Sequence, residues 1–450
     1  MTAADDDPGA ERPPPFGHDE LQALFGGFRF YPHLALAVSG GADSIALMHL
    51  TRAWLDLPRE TSPTITVLTV DHRLRAASAA EADWVAQQAA SAGFTHATLG
   101  WDGDKPKTGL QAAARAARYA LLTNYCREHG IEAFATAHTA DDQAETLLMR
   151  LARGSGVDGL AGMAAASRRG GLALLRPLLG ISRARLEAFL RERRLPWIED
   201  PSNADDRFER VRVRRLLKAG DMLGLSRGKL ALSARRLGRA RDALETATAD
   251  FLAANLTLHD AGFGEIPLAA LQATPEEIAL RSIARMMHAF GGAARAPQLA
   301  KIEACWRELQ AAGTPMATLG GCHLRPRGRN LMVAREFGRM EPQNIAATPG
   351  RPVLWDGRFE VIAPASDAAL TIRPIGRAGI GSVKTAGGSF PAIPAIAAET
   401  LPSLWTGEAL RFAPFAQFQP RQPANWLPDA SARFQNAPIL FARPFRHTTC

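Results

Sequence analysis

Apolar and polar positions alternate along the first half of the chain in blocks that switch period. Leu34–Val38 is an unbroken apolar run that stops at Ser39-Gly40-Gly41. Ile45–Trp54 has helical spacing, Thr64–Val70 is β-branched, and Ala76–Ala92 and Ala112–His129 are Ala-rich and helical. Ala133–Ala137 is a short apolar run, and a helix follows it to about Arg153. Short apolar runs alternating with helical segments predict an α/β fold, a parallel sheet with helices on both faces. Ligands on such sheets bind beyond the carboxyl ends of the strands. A second pattern begins near residue 220. Leu230, Leu237, Leu244 and Phe251 stand at heptad spacing with Ala234 between them, which predicts a helix with one apolar face. Helical character continues to about Leu309, and Gly320–Glu336 predicts a small β element around Leu331-Met332-Val333. The last hundred residues are rich in Pro and Gly and predict short strands; Gly379–Gly388 reads as a mobile loop, a contact to RNA or a surface connection.

The expected organisation is therefore a tail over 1–17, an α/β domain over 18–219, a mainly helical domain over 220–345, and a small α+β or β-rich domain over 346–450. The first seventeen residues are acidic and Pro-rich, which is the composition of a disordered tail and not of a signal peptide. No apolar run is long enough to span a membrane, so a cytoplasmic protein is expected.

Charge changes the picture in one place. Of the net +8 carried by 450 residues, all is accounted for by residues 201–241, with twelve Lys/Arg against four Asp/Glu. Such a block is either a polyanion-binding surface, nucleic acid being the commonest partner, or a solvated helix face. The four cysteines, Cys126, Cys305, Cys322 and Cys450, form no CxxC pair and no zinc spacing, and a reducing compartment suits them.

The strongest chemical signal is Ser39-Gly40-Gly41-Ala42-Asp43-Ser44, between an apolar strand and a helix. Glycines let the backbone approach an anion, and N–H groups at the helix start face it. Asp43 would repel a bare phosphate, so its presence implies a bridging Mg²⁺. The loop lacks the GxxxxGK[ST] of a Walker A motif and is similar to the PP-loop of N-type ATP pyrophosphatases, which cleave ATP to AMP and pyrophosphate.

Three further blocks follow. Asp71 and His72 end the second strand, where adenosine would lie, or belong to a charged loop of no special role. Arg115 and Arg118 share a helix face and either neutralise the pyrophosphate leaving group or are solvated. His138, Asp141, Asp142 and Glu145 gather on one side of a helix that begins near His138. They suit a metal contact, positioning of a nucleophile, or complementing of the helix dipole.

In this order the blocks resemble the tRNA(Ile)-lysidine synthase family. The resemblance extends through Arg150–Met163 (RLARGSGVDGLAGM), Arg176-Pro177-Leu178-Leu179, and Glu199–Asn203 with Asp205, Phe208, Arg210, Arg212 and Arg214. It continues at Thr318–Cys322 and Arg335-Glu336. Val211 departs from it, standing where the family has Asn. The resemblance implies a C–N ligase. ATP would adenylate the C2 oxygen of the wobble cytidine in tRNA(Ile) with a CAU anticodon, and free L-lysine would then displace AMP to give lysidine. It assigns Ser39, Gly40, Gly41, Ala42, Asp43, Ser44, Asp71 and His72 to ATP, and Mg²⁺ to Asp43 and Asp142. Arg115 and Arg118 take phosphate charge. His138, Asp141 and Asp142 serve metal or lysine, and Glu145, Asp200, Asn203, Asp205, Arg210, Arg212 and Arg214 serve the substrates. A homodimer is compatible with it. The competing readings are another PP-loop tRNA-modifying enzyme, such as a thiolase, for which paired cysteines are not evident, or a non-catalytic RNA-binding protein.

Overall fold

The computed structural model describes residues 14–444 except 59, 76, 104, 107, 200–208, 221–223, 293–295, 312–315, 341–343, 367, 420, 421, 424 and 428. Asp200, Asn203 and Asp205, and the tail up to residue 13, lie outside the described residues. The chain forms two compact units, residues 1–241 with 445–450, and residues 242–444.

The first unit carries, in order, α1 (His18–Phe25), β1 (His33–Ala37), α2 (Ala42–Leu55), β2 (Thr64–Asp71), α3 (Ser78–Ser91), β3 (Thr95–Gly100), α4 (Leu110–Glu128) and β4 (Ala133–Thr136). Then come α5 (Ala140–Leu151), the single turn α6 (Val157–Leu160), the hairpin β5 (Ala166–Arg169) and β6 (Leu172–Leu175), α7 (Arg183–Glu192), α8 (Glu209–Gly220) and α9 (Arg227–Asn255), within which the unit boundary falls. The sheet order is β3-β2-β1-β4-β6-β5, parallel except for β5. The α/β architecture read from the sequence is present.

Strand β1 is central, and Leu34, Ala35, Leu36 and Ala37 are at most 2% exposed, which is why it reads as a continuous apolar run. Burying each leucine stabilises by roughly 1.5–3 kcal/mol. Helix α2 buries Leu47, Leu50 and Trp54, and Trp54 meets Phe28 edge-on with ring centroids 5.8 Å apart. The strand order reverses between β1 and β4. Their paired ends, Ala37 against Thr136, release the two following loops side by side.

Two elements carry no clear sequence signal. Strand β3 is a sheet edge with no fully buried residue. The β5–β6 hairpin turns at Gly170 (φ 57°) and Gly171 (φ 84°), the left-handed pair that a two-residue turn requires.

In the second unit a five-stranded antiparallel sheet is built from β7 (Thr257–His259), β8 (Phe263–Pro267), β9 (Ala317–Leu319), β10 (Cys322–Arg327) and β11 (Asn330–Arg335). Helices α10 (Leu268–Ala273), α11 (Glu276–Phe290) and α12 (Leu299–Gln310) accompany it. Short strands follow to residue 434, as expected, but Gly379–Gly388 is not a loop. Most of it is helix α13 (Gly376–Thr385), whose Val383 is buried and whose Gly379 leaves room for its neighbours: a Cβ there would lie 2.5 Å from Ile375 Cγ1 and 3.1 Å from the Trp405 indole. No helix among the described residues is long and apolar enough to cross a membrane.

Candidate active site

The loop after β1 is held open by its own hydroxyls and backbone. Ser44 Oγ accepts from the Ser39 N–H (3.1 Å) and donates to the Gly41 carbonyl (2.9 Å). Ser44 is therefore a loop-closing residue, whereas Ser39 is exposed. Gly40 has φ +89°, and a Cβ there would sit 2.8 Å from Ile198 Cδ1, so the position needs glycine. Its carbonyl accepts from the Ile198 N–H at 2.9 Å. A Cβ on Gly41 would meet nothing within 4 Å, and α2 starts there with no side-chain cap. The first N–H groups of a helix lack intrahelical partners, so Ala42 and Asp43 present N–H groups suited to an anion.

Helix α5 starts at Ala140, two residues after His138, with Thr139 as its N-cap. Asp142 completes a capping box: its Oδ2 accepts from the Thr139 N–H (2.9 Å) and Oγ1 (3.1 Å). His138 precedes the helix, with Nδ1 2.8 Å from Thr136 Oγ1. Burial pushes the His138 imidazole down to about 3, and Arg176, Arg118 and Arg115 add to the depression against the opposing pull of Asp142. His138 is thus neutral at neutral pH.

The carboxylates of α5 face separate partners. Asp141 Oδ2 accepts from the Arg183 backbone N–H at 2.8 Å, and its Oδ1 lies 3.4 Å from Arg227 Nε. Glu145, 2% exposed, receives Arg214 Nε on Oε1 at 2.6 Å, and its Oε2 is buried without a partner. Gln143 clamps the Met163 backbone through both amide atoms, at 2.7 and 2.8 Å. The adjoining Gly162, at φ +63°, would place a Cβ 2.5 Å from Gln143 Oε1, which explains the glycine that precedes Met163.

Arg115, Arg118 and Arg176 lie close enough to His138 for their charges to act on it. Tyr119 is buried on α4, with the Arg169 guanidinium 3.8 Å and that of Arg115 5.3 Å from its ring centroid. Among the described residues neither Arg115, Arg118 nor Arg176 is paired with a carboxylate. Burial lowers the guanidinium pKa of both Arg118 and Arg176, and the Arg115 charge adds to it. Arg176 donates to Ala164 O (2.7 Å), and its Nε is buried without a partner. Such a cluster is suited to an anion.

Asp71 and His72 lie at the end of β2. Asp71 Oδ1 accepts from the Arg73 N–H (2.8 Å), and His72 packs edge-on against Trp101 with Nδ1 buried and unpartnered. Arg210 is half-buried and Arg212 exposed on α8. Val211 is 8% exposed on that helix, an apolar packing position. Arg176 and Arg183 receive no role from sequence reasoning. Arg183 donates from Nε to Asp43 Oδ1 (3.3 Å) and Oδ2 (3.0 Å). Its one available signal is Ser182 before an apolar-periodic helix, the mark of an N-cap, which places residue 183 at a helix start.

A PP-loop domain model matches residues 19–219. The tRNA(Ile)-lysidine synthase of Ruegeria pomeroyi is 40% identical over 388 residues, 85% of this chain and 88% of that protein. The chain belongs to the tRNA(Ile)-lysidine synthase family. The synthase of that name from Wolbachia pipientis is 38% identical, covering 76% of this chain and 80% of its own. That of Bradyrhizobium diazoefficiens is 43% identical, covering 69% and 88%. The likeness to these lysidine synthases therefore runs well past the nucleotide-binding unit. Among the described residues Cys126, Cys305 and Cys322 are buried free thiols.

Proposed function

We propose that the first unit catalyses both half-reactions of lysidine formation at the switch point between β1 and β4. The reading rests on one juxtaposition: an uncapped phosphate loop, a carboxylate group and an acid-free arginine cluster at adjoining strand ends, in a chain of this family. ATP would lie with its phosphates on the N–H groups of Ala42 and Asp43 and its adenosine near Asp71 and His72. The C2 oxygen of the wobble cytidine in tRNA(Ile) attacks the α-phosphorus, forming the O–P bond as pyrophosphate leaves. Arg115, Arg118 and Arg176 meet the charge that develops on that leaving group. The ε-amine of free L-lysine then attacks C2, the C2–O bond breaks, AMP departs, and the amine loses a proton. Glu145 Oε2, a buried acceptor without a partner, is suited to an ammonium group of lysine. His138, held neutral and too weak a base to take the proton, can accept a hydrogen bond at that stage.

Mg²⁺ fits the carboxylates. Burial raises the Asp43 carboxyl above its ordinary range; Arg183 opposes this, and the charges of Asp142 and Asp141 reinforce it, a repulsion that a divalent cation relieves. Asp43 and the Oδ1 of Asp142 would hold it. When bound, the ion would neutralise phosphate charge and polarise the α-phosphoryl group.

The test is incubation of the protein with ATP, Mg²⁺, labelled lysine and unmodified tRNA(Ile) bearing CAU, with tRNA(Met) as control. Lysine incorporation into tRNA(Ile) alone, with stoichiometric AMP, is expected. AMP formation with a different nucleophile or tRNA would discard lysine as the substrate and keep the adenylation chemistry.

A further inference from the structure

Arg183 is held where the two catalytic loops meet. Ser182 Oγ caps α7 by accepting from the Arg185 N–H (3.3 Å), and the Ile181 carbonyl accepts from the Ala140 N–H (2.9 Å). The Arg183 N–H donates to Asp141, so residues 181–183 are stitched to the first turn of α5. From this base the side chain crosses to the PP-loop. Nε engages both oxygens of Asp43, Nη2 lies 2.9 Å from Oδ2, and the same Nη2 is 3.9 Å from Asp142 Oδ1. One guanidinium thereby occupies the whole Asp43 carboxylate from a single fixed helix start.

We propose that Arg183 is a resident counter-cation that competes with the divalent metal for Asp43, so that metal binds tightly only together with nucleotide. The proposal rests on the reading of Asp43 as a metal ligand. A Mg²⁺ ion sits about 2.0–2.1 Å from its carboxylate oxygen. Guanidinium donors about 3 Å from the same oxygens would repel it strongly in a half-buried site. The guanidinium must release Asp43 for the metal to enter, and a triphosphate offers it oxygens of higher charge in a geometry its fork matches. Without nucleotide the neighbouring acceptor is Asp142 Oδ1, 3.9 Å away, which the metal would also take. Metal and nucleotide are therefore coupled, and the coupling is reciprocal.

Mn²⁺ titration of the full chain, followed by the electron paramagnetic resonance of free Mn²⁺ with and without a non-hydrolysable ATP analogue, tests this without turnover. In the wild type the analogue should tighten Mn²⁺ binding markedly. Arg183→Gln should bind Mn²⁺ alone about tenfold tighter than wild type, and the enhancement by the analogue should shrink by the same factor. Arg183→Lys keeps the charge but not the fork and should fall between, which decides the matter if the Gln variant does not fold. Asp43→Asn should weaken Mn²⁺ binding throughout. Wild-type Mn²⁺ affinity in both Arg183 variants, with Asp43→Asn weakened, overturns the competition and leaves Asp43 as a ligand. Full Mn²⁺ affinity in Asp43→Asn overturns the metal reading and the competition with it.

Discussion

Two clusters of buried charge, one in each unit, are completed to different extents. In the second, Arg335, Asp356 and Arg358 close on one another. Arg335 makes two 3.0 Å contacts to Asp356, Arg358 Nε reaches the same carboxylate at 2.7 Å, and the carbonyls of Gly321, Arg339 and Thr400 take further donors. Of these three side chains only Arg358 Nη1 lacks an acceptor. In the candidate site of the first unit several buried groups stop short of completion. Glu145 Oε2, Arg176 Nε and His72 Nδ1 have no partner, and the charges of Arg115 and Arg118 meet no carboxylate among the described residues. Each unsatisfied buried group costs about 1–3 kcal/mol. A closed network organises a fold; an open one keeps interaction energy for a substrate. The difference distinguishes the arginines proposed to meet a substrate from those that hold the fold, which burial alone does not.

The comparison breaks most visibly at its two carboxylates. Asp43→Ala should reduce ATP–pyrophosphate exchange by about a thousandfold or more, the scale of losing a principal electrostatic group from a transition state, with the protein still folded. Exchange near the wild-type rate would remove Asp43 from the metal. Asp356→Ala should do the reverse. It strands two buried guanidinium groups, a change worth about 3–5 kcal/mol of stability, while the folded fraction retains exchange activity. Chemical denaturation gives the first quantity and exchange per folded molecule the second. A stable Asp356→Ala protein with lost exchange would show that the closed network is not merely structural.

Smaller effects sharpen the open half. Glu145→Gln keeps shape and removes charge, and it should raise the KM for lysine by roughly 10- to 100-fold, the value of a charged hydrogen bond, with ATP–pyrophosphate exchange little changed. Equal losses in both assays would mean that Glu145 only anchors Arg214. Arg115→Ala should lower the adenylation rate roughly tenfold, with ATP affinity nearly unchanged, if its charge acts on the leaving group. Loss of affinity alone would make it a ground-state contact.

Much of this site is legible in the sequence because its parts are contiguous. Ser39–Ser44 and His138–Glu145 each announce a loop and a helix start, and the apolar run at Leu34–Val38 fixes what they attach to. What is not legible is how distant segments complete one another. Nothing near Arg183 in sequence points to Asp43, 140 residues away, since the contact depends on where α7 packs against α2. Asp142 resembles a metal ligand by spacing, and its capping of Thr139 becomes visible only with the helix start at Ala140. Strand β3 is hidden because an edge strand needs no continuous apolar run, and α13 because glycine suggests a turn until Trp405 supplies the reason for Gly379.

The smallest effect per residue concerns the basic block on α9. Ala234 is buried, and Leu230, Leu237 and Leu244 are half-buried, so the apolar stripe predicted from heptad spacing faces protein. Arg235, Arg236 and Arg239 lie off it and are exposed. Solvated arginines on a helix contribute little to stability, so replacing all three with Gln should leave the unfolding midpoint nearly unchanged. If they meet tRNA phosphates, each replacement reduces affinity only a few-fold near physiological salt, but it also lowers the number of counterions released. The slope of log K against log salt should then flatten by about 0.7–0.9 for each phosphate no longer neutralised. Affinity alone could fall for many reasons, whereas the slope counts charges. A triple variant with the wild-type slope would place the tRNA backbone elsewhere and leave this face to solvent. A slope flattened by about two to three, with lysine KM unmoved, would extend the open charge of the first unit from its catalytic loops onto the helix that leaves them.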